Sequence, residues 1–187
     1  MKKLALYSLA AALLLLPATA RADGDQIATV NIQQIMKDST AAQAIREQLD
    51  RKQKTFQAEI SKKESDLQKQ DQDLGKQRSV LSKDAFEKKV SAFRAKVTDA
   101  QKEVQSKKAL LDNASARAWG EVQKAVTDIV ADLAKERNFT VVIASATPTS
   151  EILYADSKLD ITDEVLKRLN KKLPKFNVTF NEQADKE

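Results

Sequence analysis

Between Thr40 and Asn138 the chain contains no proline, and glycine occurs there only at Gly75 and Gly120. A stretch that fills over half of the 187 residues with so few breakers has little choice but helix. Its start is marked by Asp38-Ser39-Thr40, and Thr40 with Gln43 three residues on fits a capping box. Its end is marked by Lys135 and Arg137, which suit a last turn, and by Asn138, which suits the left-handed position after it. Aromatic residues at 5% and charged residues at 32% fit long solvated helices better than a sheet sandwich.

One helix of that length would leave its apolar stripe bare, so the stripe decides how the chain turns. Phe86, Val90, Phe93, Val97, Ala100, Val104, Leu111, Ala114 and Ala118 keep heptad spacing, interrupted once by Lys107. Upstream, Ile45, Leu49, Phe56, Ile60, Leu67, Leu74 and Leu81 lie four or seven apart, with Lys52, Lys63 and Gln70 at seam positions between them. Two stripes predict an antiparallel hairpin over 39–137, with its tip near 79–84, where Ser82 can cap the second helix. Each arm would reach roughly 60 Å at 1.5 Å per residue. The polar seam positions would leave the hairpin loose enough to flex. After Ala118 the stripe slips by four residues to Val122, Val126, Ile129 and Leu133. Such a slip unwinds a coiled coil locally, so the hairpin is expected to pack on a separate body there. Trp119 sits at the slip, as a core residue or a subunit-interface anchor.

The flanks supply that body, over 23–38 and 138–170. Ile27 to Ile32 reads as a first strand, Gln33 to Lys37 as a helical turn, and Phe139 to Ala144 as a second strand. Thr147 to Ser150 is a loop, and Ile152 to Ala155 is expected as a third strand paired with the second as a hairpin. Thr162 is expected to cap a last helix through about Asn170, with Ile161 stapled to Leu166. The tail 171–187 is expected to be flexible, apart from a little extended structure at Asn177 to Phe180. The fold class is therefore mainly α with a small β body. Its strands are too few to close a core alone, which points to oligomers that pool them. The body and subunit-core candidates are Ile27, Val30, Ile32, Trp119, Val141, Ile143, Leu153 and Tyr154.

The N-terminus reads as a signal peptide over 1–22. Lys2 and Lys3 precede an apolar run from Leu4 to Leu16, and Ala20-Arg21-Ala22 fits a cleavage site, with Ala18-Thr19-Ala20 as the alternative. The run is short for a retained membrane anchor. Export accounts for most of the basicity: of the five net positive charges, three belong to Lys2, Lys3 and Arg21, and two remain in the mature chain. That argues against nucleic acid as a partner.

Cysteine and histidine are absent, which removes thiol nucleophiles, disulfides, imidazole bases and the usual zinc ligands. Asp156, Asp160, Asp163 and Glu164 are the acidic cluster outside the hairpin, and Asp163 and Glu164 suit a helix first turn better than catalysis. No glycine-rich phosphate loop exists. The chain is expected to be no enzyme and to need no cofactor or metal.

Several segments together resemble the Skp/OmpH family of periplasmic chaperones. They are the opening Ile27 to Met36, the Lys/Gln/Glu-rich hairpin, the strand Phe139 to Ala144, the segment Leu153 to Asp156, and the ending Leu159-Asp160-Ile161-Thr162-Asp163-Glu164-Val165-Leu166. The ending is the most specific piece, and the likeness runs to about Asn170. It implies a jellyfish-shaped homotrimer with a small β-barrel body. Three arms would enclose a cavity that holds unfolded outer-membrane proteins in the periplasm without ATP. The distal segment 62–96 carries ten basic and six acidic residues, a surplus that would steer acidic clients or touch lipopolysaccharide or other anionic lipid. The candidate contacts are Lys76, Arg78, Lys83, Lys88, Lys89, Arg94 and Lys96. The alternative is an envelope structural or adaptor protein whose coiled-coil arm grips one folded partner.

Overall fold

A computed structural model describes residues 26–145 and 152–181. The signal-peptide segment, the Thr147 to Ser150 loop and the end of the tail lie outside the described residues. Strand β1 (Gln26–Asn31) leads into the short helix α1 (Ile32–Asp38), then into the arm helices α2 (Thr40–Gln77) and α3 (Lys83–Arg137). Strand β2 (Phe139–Ser145) follows, and after a 3-10 turn at Ser157–Leu159 the helix α4 (Thr162–Lys172).

β1 and β2 pair in parallel, with Ile27 opposite Val141 and Thr29 opposite Ile143. A parallel pair needs a long crossover, and here the crossover is the whole arm. Asn138 makes the turn from α3 into β2 possible: its φ of 56° and ψ of 36° are left-handed, and its N–H closes on the Ala134 carbonyl.

The core lies where the segments flanking the arm meet the root of α3. Ala28, Val30, Ile35, Ala41 and Ile45 pack there with Ala114, Ala118, Val122, Val126, Ile129 and Leu133 of α3, and with Val165 and Leu169 of α4. Trp119 and Ile32 are half-buried against it. This core already begins at Ala114, one turn before the heptad slips at Ala118.

Four local expectations need correction. The α2 cap is Ser39, not Thr40: the Ala42 N–H donates to Ser39 Oγ at 3.2 Å. The Thr40 N–H and hydroxyl are instead directed to the Asn170 side-chain oxygen. Thr162 does not cap its own helix. Its hydroxyl oxygen accepts the Asn31 N–H at 2.8 Å, and Asp160 accepts the Thr162 N–H at 2.8 Å. Ile152 to Ala155 forms no strand, and Leu153 and Tyr154 are 99% and 85% exposed. The chain after β2 is instead brought round to the far side of β1, where the Ile161 N–H donates to the Thr29 carbonyl at 2.9 Å, and among the described residues no strand lies on the edge of β2 where the hairpin is expected. Within the described residues the tail from Lys171 to Asn181 is seated, not loose: α4 continues to Lys172, Phe176 and Val178 are buried in the core, and Leu173 and Phe180 pack on it.

Candidate functional site

The arm is the part of the fold that needs a functional account. In α2 the last buried side chain is Phe56, and in α3 the first is Leu110. From 57 to 109 no residue is buried, although the two helices face each other throughout. The heptad residues Phe86, Val90, Phe93, Val97 and Ala100 are only half-buried, and Val104 stays 42% exposed. Two helices side by side can cover only one stripe of each other, and polar residues on the α2 stripe keep even that stripe open. Midway along the arm this leaves an apolar cleft of about 140 Å³ lined by Ile60, Leu67, Val97, Ala100 and Val104, with Lys63, Glu64, Gln101 and Glu103 at its rim.

Polar bonds, more than packing, set the register of this part. The Lys63 ammonium donates to Glu103, Lys96 to Gln70 at 2.6 Å, and Lys89 to Gln77 at 2.6 Å. Lys107, the residue that interrupts the heptad, bridges Glu103 on its own helix and Glu59 at 2.7 Å on the other. Its ammonium also lies 5.4 Å from the Phe56 ring centroid, and Lys52 lies 4.6 Å from the same ring. Held by Lys107 and Lys63, the Glu103 carboxyl is lowered to about 2, while the hydrogen bonds that the Lys107 ammonium donates to Glu103 and Glu59 raise Lys107 above the usual lysine value.

All seven basic candidates are exposed near the tip. Lys76, Lys89 and Lys96 are engaged within the hairpin, by Asp73, Gln77 and Gln70 respectively. Arg78, Lys83, Lys88 and Arg94 make no ion pair among the described residues. Phe93 and Leu74 lie among Gln70, Asp73, Gln77, Lys89 and Lys96 in a second, wetter cleft. At the turn itself Val80 stands 77% exposed, and Ser82 Oγ accepts the Ala85 N–H at 3.3 Å to start α3.

The body presents a second open surface. Of its candidates, Val30 is buried and Ile32 and Trp119 are half-buried. Ile27, Val141 and Ile143 are 41%, 47% and 39% exposed on one face of the sheet, and Leu153 and Tyr154 are covered by no element among the described residues.

The acidic cluster is occupied with structure. Asp156 caps the 3-10 turn through the Lys158 N–H, Asp160 holds Thr162, and Glu164 is paired with Arg168 and Arg137. Among the described residues no group of acidic side chains could hold a metal ion, and no helix is long and apolar enough to cross a membrane. Two features escaped the sequence. One is the fork of Arg168 on Glu136, at 2.8 and 2.7 Å, which ties α4 to the end of α3. The other is the side-chain amide of Gln48, which holds the tail backbone. The alternation Phe176, Val178, Phe180 was the available signal for the second.

A family model described as Outer membrane protein (OmpH-like) matches residues 26–169. Among solved structures, the chain is similar to the crystal structure of a candidate outer membrane chaperone (OmpH-like) from Caulobacter crescentus CB15. The TM-score is 0.76 at 17% identity, covering 93% of this chain and 100% of that one. At that identity the likeness shows the fold. No curated protein sequence matches the chain.

Proposed function

The chain belongs to the OmpH-like family, and from that premise we propose that it is an ATP-independent holdase of the periplasm. In this reading it shelters unfolded outer-membrane proteins between helical arms until they insert. The family match and the fold support a chaperone role in the cell envelope. The observation that carries the finer reading is the open arm. From 57 to 109 apolar side chains are scattered among charged and amide side chains, and none is buried. Such a surface is weakly adhesive along its length and strongly adhesive nowhere, which suits clients without a fixed shape.

The same reading makes the chain a homotrimer. Ile27, Val141 and Ile143, with Leu153 and Tyr154, would be covered by neighbouring copies that close the two-stranded sheet into a barrel. The unpaired Arg78, Lys83, Lys88 and Arg94 would meet acidic clients or anionic lipid, lipopolysaccharide included, with a strength that falls as salt is added. Residues 1–22 would serve as the cleaved export signal.

The test is light scattering as a urea-unfolded outer-membrane β-barrel protein is diluted into buffer with the mature chain and no nucleotide. Suppression at about three subunits per client is expected. A folded chain that leaves scattering unchanged at every ratio would overturn the holdase reading in favour of an adaptor arm for one partner.

A further inference from the structure

The stretch Pro174 to Asn181 forms neither helix nor strand, yet it buries side chains by turns. Phe176 and Val178 are 7% and 8% exposed and Phe180 is half-buried, while Asn177, Thr179 and Asn181 are exposed along a cleft beside α3. This is the period of an extended chain lying on a surface. The surface is the root of the arm. From α2, Gln48 uses its amide as a strand would use a peptide group: Nε2 donates to the Phe176 carbonyl at 2.7 Å, and Oε1 accepts the Val178 N–H at 3.1 Å. From α3, the small side chains Ala114 and Ala118 border the groove, with Arg117 and Glu121 at its edge. Lys52 lies 5.6 Å from the Phe180 ring centroid, between that ring and Phe56.

The two hydrogen bonds from Gln48 read main chain, and the buried side chains of the segment are apolar groups at alternate positions. None of them depends on the seated segment being this one. We propose that the groove between Gln48 and Ala114–Ala118 is a binding site for an extended segment with apolar residues at every second position, and that 174–181 is an internal ligand displaced by such a segment. Membrane-spanning β-strands have that alternation, so the natural competitor is an unfolded β-barrel client; this part rests on the holdase reading. The internal ligand is suited to exchange. It takes no part in the α2–α3 pairing or the β1–β2 pairing, so it can leave without breaking either. Its short tether to α4 holds it at an effective concentration on the order of millimolar, which a client with many such segments can match.

The test uses a fluorescein-labelled peptide with the sequence of 175–181 and a peptide of the same composition with its three apolar residues adjacent. Anisotropy is measured with the full mature chain and with its Phe176→Ser/Val178→Ser variant, whose tail is unseated. The variant is expected to bind the alternating peptide at least tenfold more tightly than the intact chain does, and to prefer it over the rearranged one. Equal binding by both chains, or no preference between peptides, overturns the proposal. Should the variant lose its fold by circular dichroism, the intact chain carrying a dye through Asn181→Cys decides the matter. Excess alternating peptide must lower the dye anisotropy and rearranged peptide must not; no fall at any concentration overturns the proposal. Peptide capture without suppression of client aggregation would keep the groove and sink the holdase reading. Suppression without tail displacement would do the reverse.

Discussion

Truncating one leucine in the body and one in the arm should cost very different amounts. Leu133 is 0% exposed and belongs to the core at the root of α3, the helix that packs there on β2 and α4. Its replacement by alanine loses transfer free energy and leaves a cavity that close-packed neighbours cannot fill, so Leu133→Ala should destabilise the chain by about 2–5 kcal/mol. Leu67 lines the open cleft of the arm and is only half-buried. Each fully buried methylene contributes about 0.8 kcal/mol, so Leu67→Ala, half-buried and with the cleft already open, should cost about 1 kcal/mol. Urea unfolding followed at 222 nm reads both, with unchanged m-values as the control for a common unfolded state. Native-state hydrogen exchange adds the location: amides of 57–109 should open well below the global free energy, and those around Val122 to Leu133 only at it. Equal costs for the two truncations, or uniform slow exchange along the arm, would refute the open-arm argument and with it the basis of the holdase reading.

Asn138→Val should destabilise by about 1–2 kcal/mol because a β-branched residue resists the left-handed backbone there, whereas Asn138→Gly should be tolerated; thermal unfolding compares them. Glu103 titrates near 2 in the fold, against an ordinary value of 4.5. Its carboxylate therefore supports the arm fully above about 4.5, and that support is lost as pH falls from about 4.5 towards 2. Carboxyl carbon shifts over that range should show the low midpoint, and Glu103→Gln should remove the acid-sensitive part of arm exchange. Arg168→Lys keeps the charge but loses the two-pronged bond to Glu136, so faster amide exchange in α4 with unchanged exchange at Ala41 to Ile45 is expected. The depressed Glu136 titration should return towards the ordinary carboxylate range in the same variant.

What the sequence made legible is local, and what it hid is long-range. Ser82 and Asn138 act through neighbours a few residues away and the heptad from Phe86 onward repeats at that spacing, so their capping chemistry or periodicity can be read directly. Thr162 looks like a helix cap by the same logic, but its hydroxyl serves Asn31, 131 positions away in sequence. The tail shows the same limit. Phe176, Val178 and Phe180 alternate over too short a run to indicate a partner, and Gln48 is one of many glutamines on α2 until the fold brings it to them. Lys107 sits between the two cases: its interruption of the heptad is visible in the sequence, while the reason for it, Glu59 on the facing helix, depends on the hairpin register.

The contrast between root and arm is a consequence of where apolar residues are placed along α3. Past Ala114 the helix shows small and branched residues at nearly every inward position and collects β1, α1, α4 and the tail around them. Before Leu110 the same helix carries half-buried residues against a partner stripe filled with Lys52, Lys63 and Gln70. In the holdase reading proposed above, a body anchored at one end and a hairpin held mainly by side-chain ion pairs and amide bonds at the other would move independently. The arm would then widen or narrow at the cost of a few solvent-exposed bonds, each replaceable by water, while the packed root keeps its position on the sheet. Filling the seam should reverse that division: Lys63→Leu with Gln70→Leu would extend the apolar stripe through the cleft and slow exchange along 57–109. In the scattering assay the stiffened arm should protect a narrower range of client sizes than the natural one. If it protects large and small clients as well as before, flexibility of the arm has no part in the work, and the adhesive surface alone must carry it.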